Sequence, residues 1–179
     1  QTCAINISQE QSVVLTLLGS PGSGKTSIAH ALAEAAGRSI LQLSPQSLTD
    51  PRRSISDNVH VIHGLSECLN AVVLLEPAED FLPAGAGLAP VSNHWRALLE
   101  APPAALVLVV EHGDKLAPFA GSLSDVVLTL SGPRGSARTR LWELCTSGHQ
   151  LDDAVDLEQI GRRFELLPGA VKRSVKLAH

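Results

Sequence analysis

The amino-acid sequence predicts an α/β protein in which a mostly parallel sheet of five strands is followed by a small, all-helical piece. Two observations support this prediction. Short apolar segments alternate with segments of helical periodicity as far as Leu130. Beyond the turn-forming segment Ser131–Gly135, every regular pattern is helical. The 179 residues, 44% of them hydrophobic, are enough to bury the core of one such layered body.

Strands are predicted where short apolar runs are bounded by turn-forming residues. The run Ala104–Val110 is apolar without interruption, which is typical of a strand that is buried on both faces. The five predicted strands are Val13–Leu18, Ser39–Leu43, Ala71–Leu75, Ala104–Val110 and Asp125–Leu130.

Helices are predicted from apolar residues at helical spacing and from residues that favour helix ends. Gly37 is a favoured stop for a first helix, Asp156 is a favoured N-cap, and Pro168 is a favoured starting residue. The Gly- and Pro-rich segment Pro83–Pro90 predicts a loop. The predicted helices are Lys25–Ala36, Ile55–Asn70, Asn93–Glu100, Ala137–Cys145, Leu157–Phe164 and Gly169–Leu177.

Composition argues against several classes of protein. The net charge of −4 does not favour nucleic-acid binding, which usually shows a basic patch. No apolar run approaches the roughly 20 residues of a membrane-spanning helix. Because Cys3, Cys68 and Cys145 are odd in number and far apart, no disulfide framework is indicated, and a reducing cytoplasm is expected. The chain begins at Gln1 and contains no Met, so we expect a part of a longer protein.

A glycine-rich segment between the first predicted strand and helix carries the clearest chemistry. Gly19-Ser-Pro-Gly-Ser-Gly-Lys-Thr26 follows the pattern G-x-x-x-x-G-K-[ST], whose backbone N–H groups cradle phosphates at a helix N-terminus. In this pattern the lysine reaches the outer phosphates and the hydroxyl reaches Mg²⁺. The residues predicted to bind the nucleotide here are Gly19, Ser20, Pro21, Gly22, Ser23, Gly24, Lys25, Thr26 and Ser27.

An acidic residue at the end of a neighbouring strand is the second part expected of such a site, because it holds Mg²⁺ through water. Glu76 follows the predicted strand Ala71–Leu75 and is the candidate. We therefore predict that Thr26 and Glu76 hold Mg²⁺ beside ATP or ADP. Glu76 is also a candidate for a catalytic base.

With these motifs in place, the sequence resembles an AAA+ ATPase module over nearly its whole length. The stretch Val72–Leu82 resembles the apolar strand and acidic motif of that family. Three C-terminal stretches, Arg138–Leu144, Val155–Phe164 and Leu167–Arg173, resemble its helical lid, most of all in bacterial members. The resemblance implies a P-loop NTPase three-layer sandwich over residues 1–131 and an AAA+ lid over residues 132–179. It also implies association with other AAA+ domains or subunits, as a homo-oligomer in the full-length protein.

Several positions depart from that family, and the departures fall on catalysis. Pro77 stands where the family has a second acidic residue that polarises the attacking water. Glu111 or His112 stands near the position of a polar sensor, and Phe119–Asp125 lacks the arginine that acts on a neighbouring subunit. Lys172 matches the lid arginine that touches the γ-phosphate, without its bidentate fork, and the resemblance implies that it binds the nucleotide. The resemblance thus implies a degenerate domain that binds ATP or ADP and hydrolyses it slowly or not at all.

Other interpretations stay open at this point. An active AAA+ remodelling ATPase would need a substitute base, for which Glu76, Glu79, Asp80, Glu111 and His112 are the candidates. A small-molecule or nucleotide kinase also begins with a strand, a phosphate loop and a helix, but the C-terminal pattern fits a lid better. His60 and His63 are three residues apart, as in some metal sites, but no thiol or carboxylate completes such a site.

Overall fold

The computed structural model describes residues 12–44, 54–78, 97–112 and 125–178. A helical turn also covers residues 97–100. No helix in these ranges is both long enough and apolar enough to cross a membrane. The strands are β1 (Val13–Leu18), β2 (Ser39–Leu43), β3 (Ala71–Leu75), β4 (Ala105–Val110) and β5 (Val126–Thr129), and the helices are α1 (Lys25–Ala35), α2 (Ile55–Cys68), α3 (Ser136–Thr146), α4 (Leu157–Arg163) and α5 (Pro168–Ala178).

The five strands form one sheet in the order β2-β3-β4-β1-β5, and every pair of neighbours is parallel. Strand β1 lies between β4 and β5, with Leu15 opposite both Val107 and Val126. All the carboxyl ends of the strands therefore lie at the same edge, where α/β proteins bind their ligands. The predicted parallel sheet of five strands is confirmed.

Helices cover both faces of the sheet. On one face, Ala29 and Ala33 of α1 pack with apolar side chains of β1, β3 and β4. On the other face, Ile62 of α2 and Leu98 of the 97–100 turn pack with the side chains that point the opposite way from the same strands. Strand β4 is buried along its whole length, as its unbroken apolar character predicts. The result is three layers, which confirms the predicted fold class.

The ends of the first two helices follow from local residue chemistry. Helix α1 closes in a Schellman motif, in which the N–H groups of Gly37 and Arg38 donate to the carbonyls of Glu34 and Ala33, each at 2.9 Å. Helix α2 begins with a capping box between Ser54 and Asp57.

Four of the predicted helices differ from the structure by one residue at one or both ends, and α2 differs by more. Helix α2 ends at Cys68, two residues earlier than predicted, because Asn70 takes a left-handed conformation with a φ of 45°. Of the predicted helix Asn93–Glu100, residues 97–100 are helical, and the remainder lies outside the described residues, as does the predicted loop Pro83–Pro90.

The described residues fall into two compact units. The first comprises residues 12–19 and the described part of 25–129, which includes the sheet, α1 and α2. The second comprises residues 20–24 and 130–178, which include α3, α4 and α5. Within the second unit, α3 and α4 approach closely at Gly161, where a Cβ atom would lie 2.9 Å from the backbone nitrogen of Thr139. The division into domains at residue 131 stays a prediction.

Candidate nucleotide-binding site

The backbone of the glycine-rich loop has the conformation that its sequence predicts. Gly22 and Gly24 have φ angles of 80° and 97°, in the region that residues with a side chain rarely adopt. The N–H group of Ser23 donates to the carbonyl of Ser20 at 3.1 Å, which closes a tight turn. Residues 20–24 therefore form a compact loop whose glycines are required by its shape.

Lys25 is the first residue of α1 and is 5% exposed. Its Nζ atom donates to the carbonyl oxygen of Gly19 at 2.5 Å. A lysine this deeply buried is uncommon, because its charge loses solvation that only anionic or polar partners replace. Its position between the loop and the helix suits the binding of a phosphate.

The hydroxyl of Thr26 and the carboxylate of Glu76 meet at the carboxyl end of the sheet. The Oγ1 atom of Thr26 donates to Oε1 of Glu76 at 2.6 Å. Thr26 is the second residue of α1, and Glu76 directly follows β3, so the sheet and the first helix bring them together. The two side chains that the sequence assigns to Mg²⁺ are therefore neighbours in the fold.

Gln42 is a member of this cluster that the sequence analysis missed. It lies on β2, next to β3, and its Nε2 atom donates to Oε2 of Glu76 at 3.2 Å. The two oxygens of the Glu76 carboxylate thus have different partners, one from Thr26 and one from Gln42. The signal for Gln42 was its amide near the carboxyl end of an otherwise apolar stretch, Ile40–Leu43.

The loop contains a buried hydroxyl group, that of Ser23, which has no hydrogen-bond partner. Ser23 is 7% exposed, and its Oγ atom makes no hydrogen bond. Among the described residues, Arg138 Nε is the other buried side-chain atom in this condition. Because buried polar groups nearly always have a partner, an unpaired hydroxyl in a phosphate-binding loop fits a site that takes a polar ligand.

These residues fit a nucleotide with Mg²⁺. In the described ranges, no cluster of three or more His, Cys, Asp or Glu side chains forms a site that would hold a metal by itself. Mg²⁺ needs no such cluster, because it is usually held by one or two protein oxygens, by water and by the phosphates of its substrate. Thr26 and Glu76 supply oxygens of this kind, and the ion would neutralise phosphate charge when bound.

The parallel sheet, the loop between β1 and α1, the buried lysine and the Thr26–Glu76 pair together define a P-loop nucleotide-binding fold. Residues 15–94 match the sequence model of the ATPase family associated with various cellular activities (AAA). The match confirms the resemblance to an AAA+ ATPase module over residues 15–94, which are just under half of the chain. Members of this family bind nucleotide, usually with Mg²⁺, and AAA domains commonly oligomerise. No curated protein matches the chain.

The remaining candidate residues from the sequence lie at several different positions in the fold. Ser27 is exposed on α1, Glu111 and His112 are exposed directly after β4, and Lys172 is exposed on α5. Pro77 follows Glu76, as the sequence requires. Residues outside the described ranges include Arg52, Arg53, Glu79, Asp80, and the segment 119–124 that lacks an arginine.

The two histidines of α2 make separate contacts. Nδ1 of His60 lies 2.7 Å from the carbonyl oxygen of Ser56 on its own helix. Nε2 of His63 lies 2.7 Å from the carbonyl oxygen of Ala101. Each histidine ring is thus positioned by a backbone carbonyl oxygen.

Proposed function

We propose that this chain is a degenerate AAA+ module that binds ATP or ADP with Mg²⁺, hydrolyses it slowly or not at all, and serves in the assembly or regulation of a larger AAA+ protein. One observation carries the proposal. The groups that bind phosphate and metal are in place, in Lys25, Thr26 and Glu76, whereas Pro77 stands at the position of the catalytic base.

Binding is supported by the charge and geometry of the loop. Lys25 provides a buried positive charge, and the glycines provide the backbone shape that directs N–H groups at phosphates. Thr26 and Glu76 provide metal-binding oxygens at the same end of the sheet. The loop and the metal site therefore keep the groups that bind phosphate and Mg²⁺.

Hydrolysis in this family uses groups that this chain replaces at the matching positions. A proline side chain has no lone pair with which to accept a proton from water, so Pro77 cannot act as a base. In place of the lid arginine, Lys172 offers a point charge without a planar fork. Phosphoryl transfer depends on such positioning and charge, and an arginine finger alone contributes about 10³–10⁵ in rate.

An assembly role is supported by the surface of α2. Val61, Leu65 and Leu69 follow one another at intervals of four residues and are 41%, 44% and 52% exposed. This spacing places Val61 and Leu65 along one side of the helix, and Leu69, the C-cap residue, extends the row. A row of exposed apolar side chains is typical of a surface that contacts another domain or subunit, in keeping with the oligomers that AAA domains form.

We place the protein in the cytoplasm, with protein partners and without a role at membranes or on nucleic acid. The free thiols of Cys68 and Cys145 and the net charge of −4 support this placement.

A single-turnover assay tests the proposal. Labelled ATP and Mg²⁺ are mixed with an excess of the chain, and bound and cleaved nucleotide are followed together. We expect binding without cleavage over hours. The variant Pro77→Glu restores a carboxylate at the missing position and is compared with Pro77→Ala, which removes the ring alone. Cleavage that is faster in Pro77→Glu than in Pro77→Ala supports the assignment of this position.

Rapid cleavage by the natural chain would instead favour an active AAA+ remodelling ATPase that uses unusual residues. The observation that favours this alternative is the Glu76 carboxylate itself, because it lies at the end of β3 beside Thr26. If Glu76 is the base, Glu76→Gln abolishes cleavage and leaves nucleotide bound. Label transferred to an acceptor rather than to water would indicate a kinase.

A further inference from the structure

A backbone hydrogen bond joins the phosphate loop to the start of α5. The N–H group of Gly169 donates to the carbonyl oxygen of Gly22 at 2.8 Å. Both residues belong to the second compact unit, which includes residues 20–24 together with the C-terminal helices. The contact therefore lies inside one unit, although four of the five strands lie between its two residues in the sequence.

This hydrogen bond provides an acceptor at the N-terminus of α5, where no side chain caps the helix. The first turn of a helix has N–H groups without partners in the helix, and a side chain before the helix usually accepts one of them. Here Leu167 precedes the helix, and its hydrocarbon side chain accepts no hydrogen bond. Pro168 has no N–H group, so Gly169 carries the first donor of the helix. The carbonyl of Gly22 takes the place of the missing cap.

The same bond fixes one peptide group of the phosphate loop from both sides. The carbonyl of Gly22 and the N–H group of Ser23 belong to a single planar peptide unit. The carbonyl accepts from Gly169, and the N–H group donates to Ser20 at 3.1 Å. Rotation of this peptide would break both hydrogen bonds. The conformation of the loop at Gly22 is thus held partly by α5.

The approach requires glycine at position 169. A Cβ atom built on Gly169 would lie 2.9 Å from the Cα atom of Gly22 and 3.3 Å from its carbonyl oxygen. Both are backbone atoms, so no side-chain rotation would relieve the overlap. Gly148, which also lies in the second unit, has no atom within 4 Å of such a Cβ and no left-handed φ. Alanine therefore fits at Gly148 and not at Gly169.

We propose that Gly169 is a positioning residue of the phosphate loop, and that the Gly22 carbonyl is the N-terminal cap of α5. The first part concerns the chain without nucleotide and needs no assumption about function. Its consequence for binding rests on the proposed function: a nucleotide that orders the loop also orders the start of α5, and loss of the cap weakens nucleotide binding by the same linkage.

Hydrogen exchange on the 179-residue chain, without nucleotide, tests the cap. The wild type is compared with Gly169→Ala and with the matched control Gly148→Ala. In Gly169→Ala we expect amides of residues 20–24 and of the start of α5 to exchange about tenfold faster, as for the loss of about one hydrogen bond, and amides of β3 to be unchanged. The control should match the wild type. Equal exchange of residues 20–24 in all three proteins would overturn the proposal.

Faster exchange throughout α3 would show that Gly169→Ala loosens the whole second unit. In that case a second measurement, on the wild type, tests the cap. In the wild type alone, the Gly169 amide should exchange as slowly as amides inside α5, because it is bonded to Gly22. Fast exchange of this amide, as for an uncapped first turn, would overturn the cap.

Calorimetric titration with ADP then tests the consequence for binding. Gly169→Ala should bind about tenfold more weakly than Gly148→Ala, by the loss of about one hydrogen bond. Equal affinities would overturn the link between cap and binding. A wild type that binds no nucleotide contradicts the proposed function and leaves the exchange comparison valid.

Discussion

The hydroxyl of Thr26 lies 2.6 Å from the carboxylate oxygen Oε1 of Glu76, although 50 residues separate the two in sequence. The bond connects the first turn of α1 to the end of β3. It arises because β3 ends and α1 begins at the same edge of the parallel sheet. Substitution of either residue therefore tests whether this edge of the sheet binds a complex of metal and nucleotide.

Replacement of Thr26 tests that metal site. Thr26→Val removes the hydroxyl at nearly constant shape, whereas Thr26→Ser retains it. A hydrogen bond or ligand contact to a charged group contributes about 1.5–3 kcal/mol, so Thr26→Val should bind ATP with Mg²⁺ about 10- to 100-fold more weakly. Thr26→Ser should stay close to the wild type. Titration with and without Mg²⁺ measures the difference, and equal affinities for Val and Ser variants would exclude Thr26 from the metal site.

Lys25→Met should weaken nucleotide binding without lowering the stability of the chain. Methionine keeps a side chain of similar length without the charge. Nucleotide binding should weaken about 10- to 100-fold, because a charge-assisted contact of about 1.5–3 kcal/mol is lost. Without nucleotide, the free energy of unfolding should stay the same or rise, because burial of the lysine charge is costly. Calorimetry and urea unfolding measure the two quantities, and a marked loss of stability without nucleotide would contradict this account.

Two glycines offer a matched test of backbone conformation. Gly64 lies inside α2 and Gly37 lies in the left-handed region after α1, with a φ of 66°. A Cβ atom at either position would meet nothing within 4 Å, so crowding plays no part. Gly64→Ala should raise the free energy of unfolding by about 0.5–1 kcal/mol, through helix propensity. Gly37→Ala should lower it by about 1 kcal/mol. Chemical denaturation checks both signs, and a shared sign would contradict the argument.

Gly161→Ala should destabilise the second unit. The added methyl group would overlap the backbone of Thr139 at 2.9 Å, and α3 and α4 would have to move apart. Overpacking of this kind costs about 1–3 kcal/mol. Thermal unfolding, read from the fluorescence of Trp142 on α3 after the other tryptophan, Trp95, is replaced by phenylalanine, should show an earlier transition in this variant than in Gly148→Ala. Coincident transitions for the two variants would mean that the helices adjust without cost.

Sequence pattern was a good guide where local chemistry decides structure. The bounds of β1, β2 and β3 were predicted as the structure has them, because each apolar run ends abruptly at turn residues. The end of α2 was placed too late, because the left-handed conformation of Asn70 depends on its surroundings, including a hydrogen bond from its side chain to the carbonyl of Gly37. Such a contact, between residues 33 positions apart, has no periodic signal.

The site shows the same contrast. The loop motif, with a predicted strand before it and a predicted helix after it, was enough to indicate Lys25 and Thr26. Pairing of Gln42 with Glu76 required the neighbouring positions of β2 and β3, which sequence spacing does not give. The contact of Gly22 with Gly169 is between backbone atoms, so no pattern of side chains in the sequence indicates it.

The assignment of residues 20–24 to the second compact unit bears on how such a protein changes over evolutionary time. The loop is encoded near the start of the chain and its partner Gly169 near the end. An exchange of the C-terminal helices for those of a relative would preserve the loop only if the incoming sequence also brought a residue without a side chain at that point. The two ends of the chain are therefore coupled by a single backbone hydrogen bond, whose geometry an exchange of either segment would have to reproduce.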